Sequence, residues 1–207
     1  MKKILVLFSA GIDSTYLVWT NLKKGYHVTP IYIYIKNNIP KSEIEYDLAK
    51  ILIKRFQKDF PNQVDDLKLG GKVYMNLSTN YAPSINQVPL WIMSILYNQD
   101  TKYHHEIHLG YTSHDVNVVP YIEDIKSIYY SYTAISKKLL ELKFPILDMT
   151  KNDIVNQLPD KYLEKTVSCE YPKIEHNKLI HCLKCEPCKK NIELNNNRIN
   201  KKFYINK

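Results

Sequence analysis

The chain has 207 residues, of which 44% are hydrophobic, and a net charge of +8. That is enough material for one α/β domain with a small appendage, and the apolar fraction excludes a disordered tail. The charge favours anionic partners such as nucleotides, but the basic residues are spread along the chain rather than gathered into a patch.

In chain order, Met1-Lys2-Lys3 leads into an apolar run from Ile4 to Phe8. The run is too short for a signal-peptide core and reads as a strand buried on both faces. Ser14 to Lys24 reads as a helix, stopped by Gly25. His27 to Ile35, rich in Val, Ile and Tyr, is a second strand. Ser42-Glu43-Ile44-Glu45 has capping-box spacing and opens a helix with Ile44, Leu48, Ile51 and Leu52 on one face, ending before Pro61. Lys72 to Leu77 is a third strand, Val88 to Asn98 a helix, Glu106 to Leu109 a fourth strand and Tyr121 to Leu140 a helix. Thr150 caps a short helix with Asp153 in its first turn. The apolar stretch Pro89 to Tyr97, interrupted by Ser94, is too short to span a bilayer, so no membrane is expected and the protein is read as cytoplasmic. Strand–helix alternation predicts a Rossmann-like parallel sheet with helices on both faces. The alternation ends near Leu158-Pro159, which divides an α/β domain, 1–160, from a cysteine-rich segment and polar tail, 161–207.

Ser9-Ala10-Gly11-Ile12-Asp13-Ser14-Thr15 joins the first strand to the first helix. In a parallel sheet that junction presents free N–H groups and partial positive charge to an anion. Ser9, Ser14 and Thr15 add hydroxyls, and Gly11 permits close backbone approach. Asp13 makes sense there if it holds a magnesium ion or a water bridging to phosphates; the alternative is that Asp13 or Ser14 merely caps the helix. No Gly-Lys-Ser/Thr ending is present, so this is not a Walker A loop. It resembles the Ser-Gly-Gly-x-Asp-Ser loop of the ATP pyrophosphatases, the PP-loop enzymes, with Ala10 in place of the first glycine of the pair. These enzymes cleave ATP between the α and β phosphates and adenylate an oxygen of their substrate. The resemblance implies ATP binding across Phe8, Ser9, Ala10, Gly11, Ile12, Asp13, Ser14 and Thr15. Lys151 stands one residue past the Thr150 cap, where a cation opposes the helix dipole. A nearby anion such as an ATP phosphate explains it; a solvated surface lysine is the alternative.

All four cysteines fall in Cys169-x12-Cys182-x2-Cys185-x2-Cys188. Two x2 spacings make a knuckle, Cys169 brings a fourth sulfur from a separate loop, and four thiolates suit structural zinc. An iron–sulfur cluster is the rival metal, and disulfides or free thiols the metal-free alternative. His176 and His181 are conceivable substitutes for one cysteine, but with four sulfurs available they read as ordinary loop residues.

The PP-loop followed by this cluster resembles one family over most of the chain: 7-cyano-7-deazaguanine synthase, of queuosine biosynthesis. The match runs through Ile107-His108-Leu109-Gly110 with Asp115, Phe144-Pro145-Ile146-Leu147-Asp148-Met149-Thr150-Lys151, Thr166-Val167-Ser168-Cys169 and Cys182-Leu183-Lys184-Cys185-Glu186-Pro187-Cys188-Lys189. It departs at Leu90-Trp91, where the family has Arg-Asn, and at Val119-Pro120-Tyr121-Ile122, where the family has Tyr-Pro-Asp-Cys-Arg. The resemblance implies an adenine nucleotide alpha hydrolase-like fold, with ATP, Mg2+ and Zn2+ as cofactors and Asp13, Lys151 and Asp115 as catalytic residues. It implies a ligase that adenylates 7-carboxy-7-deazaguanine, accepts ammonia to give the amide, and adenylates the amide for dehydration to the nitrile. A homodimer is one of the states left open. Two other readings stand beside it: a PP-loop enzyme acting on another acid or a tRNA base, and a non-catalytic nucleotide-binding relative. No RNA-binding domain or aromatic–basic motif is present, so nucleic acid is not expected as a partner.

Overall fold

A computed structural model of the chain describes residues 1–36, 41–74, 103–116, 118–135, 140–176 and 178–194. The apolar runs assemble into one five-stranded sheet. Its strands are β1 (Lys3–Leu7), β2 (His27–Lys36), β3 (Lys68–Tyr74), β4 (Glu106–His108) and β5 (Glu141–Lys143). The order is β3-β2-β1-β4-β5 and every pair is parallel. β1 lies at the centre because every one of its core positions is apolar, which a strand buried on both faces requires.

Alternation along the strands separates two cores. Ile4, Val6, Phe8 and Val28 face α1 (Ile12–Lys23), α2 (Lys41–Asp59), α4 (Lys151–Gln157) and α5 (Asp160–Leu163). Leu5, Ile31, Ile33, Ile107 and Leu142 face α3 (Ile122–Ile135) through Ile122, Ile125 and Tyr129. The structure thus has the expected α/β architecture, with helices on both faces. Phe56 of α2 stacks on Tyr162 of α5 with ring centroids 4.3 Å apart, and the Tyr16 hydroxyl donates to Gln157 Oε1 at 2.5 Å, so α1, α2, α4 and α5 form one layer.

Several boundaries differ from the sequence expectation. α1 begins at Ile12 because Gly11, extended at φ −69° and ψ 162°, takes the N-cap position with no side-chain cap; Asp13 and Ser14 lie inside the helix. α2 begins at Lys41, so Ser42 is not its cap, and the Ser42 hydroxyl donates instead to Ile35 O at 2.6 Å. Its buried face is Ala49, Leu52, Ile53 and Phe56, while Ile51 is 49% exposed. β3 begins four residues earlier than Lys72 and pairs with β2 from Ile31 onward, the register shifting between Tyr32 and Ile33 so that Gly70 is skipped. The helix expected from Tyr121 ends its described part at Ile135, and Leu140 instead precedes β5, an unanticipated edge strand with only three residues. The expected helix Val88–Asn98 and the Leu90-Trp91 departure lie outside the described residues.

One buried charge cluster sits on the sheet away from the loops. Glu106, 3% exposed, accepts from Lys2 Nζ and Lys143 Nζ, each at 2.6 Å, and pairs with His108 Nε2 at 2.8 Å. Burial opposes the carboxylate's charge, but its three hydrogen-bonding partners outweigh that and pull its pKa down to about 2.

Candidate functional site

The carboxyl ends of β1, β2 and β4 converge on the loop after β1. Phe8 N donates to Ile31 O at 2.8 Å, continuing the sheet by one bond, and the chain then turns at Ala10, which takes φ +58°. That left-handed conformation is where glycine is at home and alanine is strained by about 1 kcal/mol. Ala10 is fully buried in the core and lines neither of the two cavities described below, so its methyl packs inward. The departure from the glycine pair is therefore a backbone cost, not a methyl pressed on a phosphate.

Ser9 and Ser14 close the loop. Their hydroxyls lie 3.3 Å apart, Ser9 N donates to Ser14 Oγ at 3.3 Å, and Ser14 Oγ donates to Gly11 O at 3.2 Å. Gly110, after β4, comes so close to the first turn of α1 that a Cβ there would meet Ser14 N at 3.2 Å and the Asp13 carbonyl carbon at 3.3 Å. Glycine at this position lets β4 deliver its loop against the helix start without pushing α1 back by a few tenths of an ångström.

Thr150 caps α4 with Asp153 in its first turn, as expected, and the two side chains complete a capping box. This places Lys151 beside the loop, where its ammonium forms an ion pair with Asp13 Oδ2. The other carboxylate oxygen, Asp13 Oδ1, is buried without a partner among the described residues. Asp115 holds a turn: its Oδ2 accepts from Thr112 N at 2.6 Å and Thr112 Oγ1 at 3.1 Å. Its backbone carbonyl accepts from Val118 and Val119 N–H groups, so Val119-Pro120-Tyr121 coils into a short 3-10 turn behind it.

Two cavities open at the loop. A smaller one, about 290 Å3, is lined mainly by Leu7, Phe8, Tyr32, Ile33, Leu109 and Tyr111, with Ser9 and Ser14 at its edge. A larger one, about 600 Å3, brings together Asp13, Lys151, Asp115 and Gly11 with Ser168, Lys190 and Asn191 of the C-terminal segment. Of the loop residues, Ala10 and Thr15 line neither. Sequence reasoning did not single out Lys41, Glu45 or Asn191. Asn191 is 2% exposed, and its Nδ2 has no partner among the described residues. Its only sequence signal was its place three residues past Cys188.

The four cysteine sulfurs lie within 4.8 Å of one another, with Cys185 Sγ 4.0 Å from Cys169 Sγ. Four sulfurs ~2.3 Å from a common tetrahedral ion stand about 3.8 Å apart, so the cluster fits a metal such as zinc. Backbone N–H groups point at the sulfurs, including Tyr171 and Cys182 to Cys169 Sγ at 3.3 and 3.2 Å, and Cys185 to Cys182 Sγ at 3.3 Å. Burial pushes the Cys169 thiol up to about 11 and Cys188 higher still. Burial also opposes the Cys182 thiolate, but N–H donors from Lys184 and Cys185 bring it down to about 7. A bound cation would supply the charge that the buried thiols lack. Neither His176 nor His181 joins the cluster.

The segment around the cysteines contains a short antiparallel hairpin, β6 (Lys173–Glu175) and β7 (Lys178–Ile180), and the helix α6 (Glu186–Glu193). Leu179 and Leu183 pack on the main core. The segment is tied to the loop where Val167 N donates to Ala10 O at 2.9 Å. The family model described as queuosine biosynthesis protein QueC matches residues 3–193. The chain belongs to this family. Its PP-loop is thus that of a queuosine-pathway family, and the match runs through both the loop and all four cysteines. A solved structure titled as the crystal structure of a predicted subunit of tRNA methyltransferase from Methanocaldococcus jannaschii is similar over 75% of this chain and 73% of that one, at 16% identity and a TM-score of 0.43. Among curated proteins there is no match to the chain. No helix among the described residues is long and apolar enough to cross a membrane.

Proposed function

We propose that the chain binds Mg2+-ATP at Phe8–Thr15 and adenylates the carboxylate of 7-carboxy-7-deazaguanine, leading with ammonia to 7-cyano-7-deazaguanine. The observation that carries this reading is the Lys151–Asp13 pair over the loop, facing a cavity that the loop shares with the cysteine segment. The smaller apolar cavity suits a nucleobase and ribose, and the larger one, with its lysines, suits phosphates and the acceptor.

In the step proposed, a carboxylate oxygen of the acceptor attacks the α-phosphorus. The bond from that phosphorus to the oxygen bridging to the β-phosphate breaks, and pyrophosphate leaves with the electron pair. Lys151 releases Asp13 and turns its ammonium to the departing pyrophosphate, while Ser9 and Ser14 donate hydroxyl hydrogen bonds to phosphate oxygens. Asp13 Oδ1, buried and unpartnered, is the free ligand atom for a magnesium ion, which when bound would neutralise phosphate charge. Ammonia then displaces AMP from the acyl carbon and loses a proton to give the amide; a second ATP adenylates the amide oxygen, which leaves with AMP as the amide nitrogen gives up its two protons to solvent and the nitrile forms. Asp115 holds the turn that forms one wall, through Thr112. Cys169, Cys182, Cys185 and Cys188 would hold a zinc ion that orders the segment supplying Ser168, Lys190 and Asn191 to the larger cavity, with no part in the bond changes.

The test is ATP–pyrophosphate exchange across a panel of carboxylic acids. Exchange that depends on 7-carboxy-7-deazaguanine, with a nitrile product detected by mass when ammonia is added, is the expected result. Exchange with another acid alone would reassign the acceptor, and no exchange with any acid would favour a non-catalytic nucleotide binder.

A further inference from the structure

Among the described residues, three line both cavities: Ser9, Lys41 and Glu45. A nucleotide with its base in the apolar cavity and its terminal phosphates in the larger one must cross this junction. The atom that lies there is the first phosphorus after the ribose, which is the α-phosphate. Among the junction residues, Lys41 alone carries a positive charge. We infer that Lys41 grips the α-phosphate and neutralises the charge that gathers on it during adenylyl transfer.

The surroundings of Lys41 support the assignment. Its ammonium lies 2.8 Å from Glu170 Oε2 and 3.5 Å from Glu45 Oε1. Burial works against this ammonium, but Glu45 and Glu170 outweigh it and hold its pKa above the ordinary lysine value, so Lys41 carries its charge at neutral pH. Glu45 is anchored, because Tyr32 places its hydroxyl 3.2 Å from Glu45 Oε2. Glu170 is different: its side chain is 44% exposed and can turn to solvent at little cost. Glu170 thus occupies the ammonium until a phosphate oxygen replaces it. This also links the junction to the metal segment, since Glu170 follows Cys169 directly and its N–H points at Cys185 Sγ from 3.4 Å.

The inference rests on the nucleotide reading above but not on the identity of the acceptor. It is tested by calorimetry on the zinc-loaded full chain with magnesium, using adenosine, AMP and ATP as probes. In Lys41→Met, AMP and ATP affinity should fall about tenfold or more, the size of a lost charged hydrogen bond, with adenosine affinity within about twofold of the parent. Lys41→Arg should keep most of the AMP affinity. Glu170→Gln, which removes the competing carboxylate and leaves the ammonium, should raise it. Equal AMP affinity in parent and Lys41→Met would overturn the role of Lys41 while leaving the ATP reading in place. Equal losses for adenosine and AMP would also overturn it, because they would show a collapsed cavity rather than a lost phosphate contact. A parent that binds none of the three probes would overturn both readings together.

Discussion

The PP-loop and the cysteine segment meet at one rim of the sheet, yet they are held there by different physics. The loop rides on the core: Phe8, Ala10 and Ile12 are at most 1% exposed, and its turn is closed by backbone and serine hydrogen bonds. The cysteine segment has little core of its own. β6 is exposed at every residue, Ile174 is 52% exposed, and its main inward groups are the cysteines themselves with Leu179 and Leu183. The packing of the first region rests on the sheet core, whereas the second brings four sulfurs together where a metal cross-link would order it.

The sharpest way to break this comparison is to remove the metal. Structural zinc sites bind with apparent energies of ~10–16 kcal/mol at neutral pH, so a zinc on the four cysteines would dominate the ordering of the segment. Cys185→Ser, or strong chelation, should release the ion in native mass spectrometry and abolish hydrogen-exchange protection across Cys169–Leu194. Protection in β1, β2 and β4 should persist. If the hairpin and α6 stay protected without metal, the segment is held by packing after all; an iron–sulfur absorbance band would change the ion but not the argument.

Asp13 is the matching test for the loop. Asp13→Ala should weaken Mg2+-ATP binding about ten- to hundredfold, because it removes Oδ1, the ligand atom proposed for the magnesium ion, a charged contact worth roughly 1.5–3 kcal/mol. The melting temperature should move by no more than about 4 °C, since the turn is built from Phe8, Ser9 and Ser14 rather than from this carboxylate. Calorimetry showing parental ATP affinity in the variant would remove Asp13 from the site.

What was legible in the sequence follows the same divide. The central strands were legible because β1 and β2 are apolar runs, and the α4 cap because Thr150 is a typical N-cap residue with Asp153 in the turn that follows. The cysteine cluster was legible because thiolate spacing is itself the geometry of a metal knuckle. β5, with only Leu142 buried, and the three-residue strands of the hairpin, β6 exposed at every residue, leave no period to read. The strand order was not legible either, since pairing in a parallel sheet is fixed by long-range packing. Lys41 and Glu45 stand on the first turn of α2 in a segment whose pattern reads as an amphipathic helix, and only the fold brings them over Ser9.

A third effect, on stability rather than on binding, concerns the sheet beneath both regions. Glu106 has a folded pKa of about 2 against an ordinary value of 4.5, a depressed carboxylate. Its contribution is therefore fully present above about pH 4.5 and is lost as the pH falls through about 2. The shift corresponds to roughly 3 kcal/mol. Urea unfolding between pH 6 and pH 2.5 should show this loss in the parent and a flatter profile in Glu106→Gln. Identical pH profiles would mean that Lys2, Lys143 and His108 do not stabilise the carboxylate. Because the cluster is distant from the loop, ATP affinity at neutral pH should not follow it.

The smallest effect is expected at Ala10, and it asks whether the loop is shaped by core packing or by its ligand. Ala10→Gly relieves a left-handed φ worth about 1 kcal/mol, but it also removes a buried methyl of about 0.8 kcal/mol and adds unfolded-state entropy. These terms nearly cancel, so stability should change by less than about 1 kcal/mol. ATP affinity should stay within about twofold, because the methyl faces the core and lines neither cavity. A large gain in affinity would mean that the methyl does press on the phosphate and that the loop adapts to its ligand. Ala10→Val separates the two cases from the other side: a β-branched residue at φ +58° in a filled core should cost more than about 2 kcal/mol of stability whether or not nucleotide is present. If saturating ATP restored that loss in full, the ligand would be the mould; if the loss persists, the core is.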